Sequence, residues 1–335
     1  KLIDTPADTL ADSILYLRIY FLGIFGTLIF NIGSAIMRSI GDSRRPLYYL
    51  IVCCFLNIIL DLVLVIVFDM GIVGAAIATI ISQAVSAILV TNALMKKYDD
   101  CKLYLSKLHI DLLKLRLEFR IGIPSALQAF MYSITNIIIQ AAINGFGTDT
   151  AAAWASFGKL DALFWTVNGA FGIAITTFAG QNLGAGKYDR IRKGMRSAIK
   201  MAVATAIAIS IVMILFGKYI LLLFISGEPE EVKAVLDVAY TYLFVMCCLL
   251  FILYLLHLYR SALQGMGDTV IPMVSGVAEL TMRIGCALLL PIWLGEYGIY
   301  FAEIAAWTGA AVILIIFYYR RIHHLLHNIP DKRIH

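Results

Sequence analysis

The sequence predicts an all-α integral membrane protein built as two pseudo-symmetric helical bundles, and three observations carry that expectation. Of its 335 residues 61% are apolar and only 15% are charged, a balance outside the range of water-soluble domains. Nine stretches are apolar for about 20 residues, the length that crosses a bilayer as a helix. Backbone in lipid must satisfy its own hydrogen bonds, so helices are the economical assignment. Finally, one motif is said twice. Gly41-Asp42-Ser43-x-x-Pro46 returns as Gly267-Asp268-Thr269-x-x-Pro272, offset by 226 residues at every matched position. Six apolar stretches separate the copies, so both lie on one side of the membrane, as in a parallel repeat.

In order, the predicted spans are 14–36, 47–68, 72–95, 122–145, 154–179, 198–225, 235–258, 271–294 and 298–319. Residues 1–97 then form the remainder of an amino-terminal lobe with three spans, and 121–325 a carboxy-terminal lobe with six. Between them, 98–120 alternates Lys and Arg with Leu and reads as an amphipathic helix on the cytoplasmic interface. Residues 326–335 are a tail. The repeat sets an expectation about the start as well. A first lobe matching the second would begin roughly 110 residues before Lys1 and hold three more spans, twelve in all. The absence of Met and of a signal pattern at Lys1-Leu2-Ile3 agrees with that expectation.

Charge orients the bundle. One alternate set of connecting segments holds 21 of the 27 Lys and Arg, while acidic turns such as 227–231 fall in the opposite set. By the positive-inside rule the basic set is cytoplasmic, and both Gly-Asp motifs with it. This distribution accounts for the net charge of +5 without nucleic acid as a partner. In each motif the Asp is placed to cap the next helix, with Pro46 or Pro272 in its first turn.

Catalytic and metal chemistry find little support. The six Cys show no Cys-x-x-Cys spacing, so they read as small core residues. Ala179-Gly-Gln-Asn-Leu-Gly-Ala-Gly-Lys187 is glycine-rich, but no strand precedes it and no Gly-Lys-[Ser/Thr] closes it, so it reads as a tight turn. No enzyme activity, metal centre or cofactor is expected. Of the six His, four lie in the carboxy-terminal segment, His109 in the linker and His257 at a span end.

Asp61 stands out, because an acid within an apolar span is costly and usually faces a cavity or an ion path. Burial disfavours its charged form, which makes it a candidate for proton exchange. Asn57, one turn earlier, shares its helix face. Thr79 and Asn31 are neighbours on flanking spans. The bland alternative is that all four simply hold packed helices together. Glu279 and Arg283, at i and i+4, read as a structural ion pair. Gln128, Tyr132, Asn136, Gln140 and Asn144 draw a polar line along one helix face, a wet cavity wall or interhelical glue.

Taken together, Gly122-x-Pro124-Ser-Ala-Leu-Gln128, Ala179 to Gly186, Leu263-Gln-Gly-Met-Gly-Asp-Thr269 and the duplicated Gly-Asp motif resemble the multidrug and toxic compound extrusion family. Order and spacing agree from residue 1 to about 325, the last nine of that family's twelve spans. The resemblance implies two six-helix lobes around a central cleft, in a monomer of the prokaryotic cytoplasmic membrane. It implies export of organic compounds in exchange for protons or sodium ions, with the gradient in place of a cofactor. Asn57, Asp61 and Thr79 match the family's amino-lobe cation site, where a sodium ion would sit if that is the ion carried; Asn31 matches a cavity residue. The acid that the family adds from its first span falls outside this sequence. Some members also use carboxy-lobe acids, at positions where this chain has Tyr132 or Ser133 and Leu253, which leaves Asp61 the main titratable candidate. A lipid-linked precursor flippase of related architecture and an inactive transporter fragment are the rival readings.

Overall fold

The structure, a computed structural model, describes residues 7–98, 102–144, 148–225, 227–295 and 297–328, and every regular element among them is a helix. It divides into two compact units, Lys1–Ile110 and Asp111–His335. Among the described residues seven helices are long and apolar enough to cross a membrane, and a bent pair makes an eighth. The remaining predicted span, 122–145, lies on a further long helix.

The first unit holds α1 (Ala7–Leu22), α2 (Ile24–Ser39), α3 (Arg44–Asp61) and α4 (Gly71–Lys96). Span 14–36 was expected as one helix; instead α1 and α2 meet at 47°. The break falls at Gly23, where a Cβ would lie 2.7 Å from Ile80 Cγ1 and 3.1 Å from Gln83 Oε1. A glycine is the weak point of a helix, and here it also admits the close passage of α4. A small core of Met37, Val90, Ala93 and Leu94 ties α2 to α4, with Tyr49, Tyr98 and Leu103 packed on it. Large side chains such as Phe25 and Phe55 remain exposed, as helix faces turned to lipid do.

The second unit holds α5 (Leu112–Asn144), α6 (Thr148–Gly184), α7 (Tyr188–Leu221), α8 (Pro229–Gly265), α9 (Val270–Leu289), the short α10 (Pro291–Leu294) and α11 (Tyr297–Asn328). Helix α8 is its axis, packed by α6, α7 and α11, while α9 lies against α11 and α5. Buried residues run along α8 from Val235 to Leu263. Close approach to α6 depends on Gly265, where a Cβ would sit 2.5 Å from the Thr176 carbonyl oxygen. Beside it the Thr176 hydroxyl donates to Ser261 O at 3.0 Å.

The segment 98–120 is not one amphipathic helix. Its described part is extended around a single 3₁₀ turn, Leu105–Lys107, and residues from Leu112 onward are the first turns of α5. Helix α5 therefore absorbs the last nine residues of the expected linker. Leu105 and Leu108 are exposed, so among the described residues no surface buries the leucines of this turn.

The two Gly-Asp motifs fold into the same turn, bond for bond. In the first, Gly41 takes φ +93° and Asp42 N donates to Met37 O at 2.9 Å. In the second, Gly267 takes φ +78° and Asp268 N donates to Leu263 O at 3.0 Å. This is the helix stop in which a left-handed glycine lets the chain satisfy the last carbonyls. Each Asp then accepts the amide three residues on, Arg45 at 3.1 Å and Ile271 at 3.2 Å. Pro46 and Pro272 each stand third in their helices. Gly186 (φ +68°) closes α6 in the same manner, with Lys187 N donating to Asn182 O at 2.8 Å.

Candidate functional site

Each unit carries polar side chains inside otherwise apolar helices. In α3, Asn57 and Asp61 stand one turn apart on one face. Asn57 Nδ2 and Asp61 Oδ1 are buried, and among the described residues neither has a hydrogen-bond partner. Directly after Asp61 the helix widens into a π turn, Leu62–Val67, closed by Phe68 N donating to Val63 O at 3.0 Å. Such widenings recur at functional sites. Thr79 is half-buried and its hydroxyl donates back along α4 to Ala75 O at 3.0 Å, while Asn31 is exposed on α2. Helical spacing thus sets Asn57 and Asp61 on one face, while the Thr79 hydroxyl is spent on its own helix.

In the second unit Gln128 and Tyr132 of α5 line a cavity of about 470 Å³, together with Trp165, His257, Arg260, Gln264 and Glu279. Gln264 Nε2 donates to Gln128 Oε1 at 3.3 Å. Gly276 brings α9 near, since a Cβ there would lie 3.0 Å from Gln128 Cγ. Asn136 and Gln140, farther along the polar line, are exposed and stand outside this lining; the Asn144 side chain lies outside the described residues.

The expected pair Glu279–Arg283 is the middle of a longer ladder. Arg260 Nη2 lies 2.7 Å from Glu279 Oε2, Arg283 Nη2 lies 3.7 Å from Glu279 Oε1, and Arg283 Nη2 lies 3.0 Å from Glu303 Oε1. Tyr242 donates its hydroxyl to the other oxygen of Glu303. Three buried charges and the half-buried Glu303 thereby alternate in sign across α8, α9 and α11, the arrangement that makes ions tolerable at low dielectric. The Arg283 guanidinium also lies 5.9 Å from the centre of the Tyr132 ring. Tyr132 meets Trp165 edge to face at 5.2 Å, and Trp165 meets His257 at 4.8 Å.

Several of these residues escaped the sequence reading. His257, expected at a span end, lies two turns inside α8 because that helix continues to Gly265. Asp161 and Glu303 fall inside predicted spans, and the argument that raised Asp61 applied equally to them. Arg260 and Gln264 sit in the last turns of α8, just ahead of the second copy of the repeated motif, whose turn is all that the repeat explained.

Long apolar helices enclosing buried ionisable groups and a polar cavity define a multi-pass helical membrane protein. The chain belongs to the MatE family, whose profile matches residues 1–63 and 124–289, and it is a multi-pass protein of the cytoplasmic membrane. It is 28% identical over 244 residues to the probable multidrug resistance protein YpnP of Bacillus subtilis, an alignment covering 69% of this chain and 52% of that protein. It is 25% identical over 311 residues to the probable multidrug resistance protein NorM of Thermotoga maritima, covering 90% of this chain and 66% of that one. The chain thus spans about half to two thirds of the length of these relatives. Its fold matches an outward-facing MATE family multidrug resistance transporter of the MOP superfamily, with a TM-score of 0.89 at 22% identity, covering 97% of this chain and 73% of that one.

Proposed function

We propose that the protein to which this chain belongs is a secondary antiporter that exports organic compounds in exchange for protons or sodium ions. The observation that carries the reading is the half-buried Asn57–Asp61 pair, whose Asn57 Nδ2 and Asp61 Oδ1 atoms are buried and without a hydrogen-bond partner among the described residues, at the point where α3 widens. An acid held so in a membrane helix exchanges its charge with a bound ion or proton. Thr79, across on α4, supplies a further oxygen for a sodium ion. Gln128, Tyr132, Asn136 and Gln140 form the substrate wall, of which Gln128 and Tyr132 line the cavity of the second unit. Organic small molecules are the substrates, and the protein acts as a monomer.

Flipping of a lipid-linked precursor would require free cations to grip phosphate. Within the second unit Arg260 and Arg283 are instead paired to Glu279 and Glu303, which favours uncharged or cationic cargo. The test is efflux of a fluorescent organic dye from vesicles containing the full-length protein, under an imposed proton or sodium gradient. Export that follows one gradient supports the reading, and export indifferent to both removes it.

A further inference from the structure

We propose that Asp161 is a proton-carrying group coupled to the cavity of the second unit through Trp165. The proposal rests on the antiport reading above and adds to it a second exchange site, independent of Asp61.

The ladder matches Arg260 and Arg283 with Glu279 and Glu303, so those four charges cancel. Asp161, half-buried within α6, is a third acid in the same polar interior, and among the described residues no cation pairs with it. Its one hydrogen bond among the described residues is from Trp165 Nε1 to Oδ2, at 2.9 Å. Lys159, two positions away, is exposed and does not share its face. A carboxylate in such surroundings with an indole as sole donor is poorly compensated, and a proton on Oδ1 removes the charge without disturbing Oδ2. A sodium ion would need several oxygens close together, whereas the group bonded to Asp161 is an indole N–H, which offers none.

Position supplies the coupling. Trp165 lines the cavity, and Asp161 stands one helical turn beyond it toward the Thr148 end of α6. The indole therefore touches both: its ring closes the cavity against Tyr132 and His257, and its N–H holds the acid. A ligand that moves Trp165 breaks the hydrogen bond that stabilises the ionised carboxylate, which then takes a proton from water; return of the indole favours its release. The ionisable groups around this pair are Tyr132 of α5, Tyr242 and His257 of α8, Arg283 of α9 and Glu303 of α11, and α7 brings none among the described residues. Arg283 and Glu303 are already joined to each other, so Asp161 is the member free to change charge.

The experiment uses the full-length protein in detergent or liposomes. Intrinsic tryptophan emission is followed between about pH 4 and pH 9, with Trp165→Phe identifying the contribution of that ring. A titration that disappears in Asp161→Asn, moves in Asp161→Glu and persists in Asp61→Asn supports the proposal. Emission without a titration, or a titration unchanged in Asp161→Asn, overturns it. Should Asp161→Asn not fold, wild-type protein is treated with dicyclohexylcarbodiimide, which attacks protonated carboxyl groups in apolar surroundings. Mass spectrometry should show Asp161 modified increasingly as pH falls, and more at a given pH in Trp165→Phe. No modification of Asp161 at any pH overturns the proton site, and modification indifferent to Trp165→Phe overturns the coupling. Failure of the antiport reading appears separately, as dye export that ignores both gradients.

Discussion

Arg260 of α8 and Glu279 of α9 face each other at 2.7 Å with both residues at least nine-tenths buried. The contact joins the helix that ends in the second Gly-Asp turn to the helix that begins after it. Removing one partner strands the other charge at low dielectric, at a cost of about 3–5 kcal/mol. Glu279→Gln and Arg260→Gln should each lower the melting temperature of the full-length protein markedly. The double variant should recover much of the loss. Single variants as stable as wild type would show that water already reaches the pair.

Gly265 is the point of closest approach between α8 and α6, with the Thr176 carbonyl oxygen 2.5 Å from where a Cβ would stand. Both atoms involved are tied to backbone, so neither yields cheaply. Gly265→Ala should therefore reduce folded yield, by about 1–3 kcal/mol for overpacking of this kind. Gly169→Ala on α6, whose Cβ would meet nothing within 4 Å, is the control and should leave yield unchanged.

Asp42 answers to pH. Partial burial pushes its carboxyl up, but the Tyr98 hydroxyl at 2.6 Å, the Arg45 amide and the Arg45 guanidinium outweigh this and hold it below the usual carboxylate range. Since the folded value is the lower one, the stabilisation is complete above the unfolded value of about 3.9 and fades as pH falls through the folded value. Thermal melts from about pH 6 to pH 3 should show wild type losing stability that Asp42→Asn has already lost. Asp268→Ala should cost about 1 kcal/mol as a lost helix cap while leaving ion preference alone.

Asp61→Asn retains the volume of the side chain and most of its hydrogen bonding but cannot ionise. It should abolish gradient-driven export with substrate binding still measurable by calorimetry. Under proton coupling, lowering pH at constant sodium should release substrate from wild type and not from the variant, because the two bindings oppose each other reciprocally. Full transport by Asp61→Asn under either gradient would reduce Asp61 to a packing group.

Arg44, Lys193 and His324 should react from the cytoplasmic side when replaced by Cys, and Glu230 from the other. Labelling of Lys193 and Glu230 positions from one face would end the span assignment.

Much of the fold was legible in the chain because its determinants are local. Apolar length specifies a membrane helix, and a 226-residue offset specifies a repeated turn whose hydrogen bonds recur at the same offset. The Asn57–Asp61 pair was legible for a related reason: one helical turn of spacing sets two side chains on one face whatever surrounds them. Other features depended on which helices meet. The bend at Gly23 needs α4 alongside it, and nothing within residues 14–36 distinguishes that glycine from Gly26. The linker reading failed because amphipathic spacing describes a helix only where a surface is present to bury its leucines. Glu279 and Arg283 showed as a pair at i and i+4, but Arg260, Glu303 and Tyr242 join them from helices α8 and α11. Asp161 acquires meaning only beside Trp165, Tyr132 and a ladder already balanced without it. Spacing along one helix belongs to the sequence; whether a buried charge has a counter-charge is decided between helices, by tertiary packing.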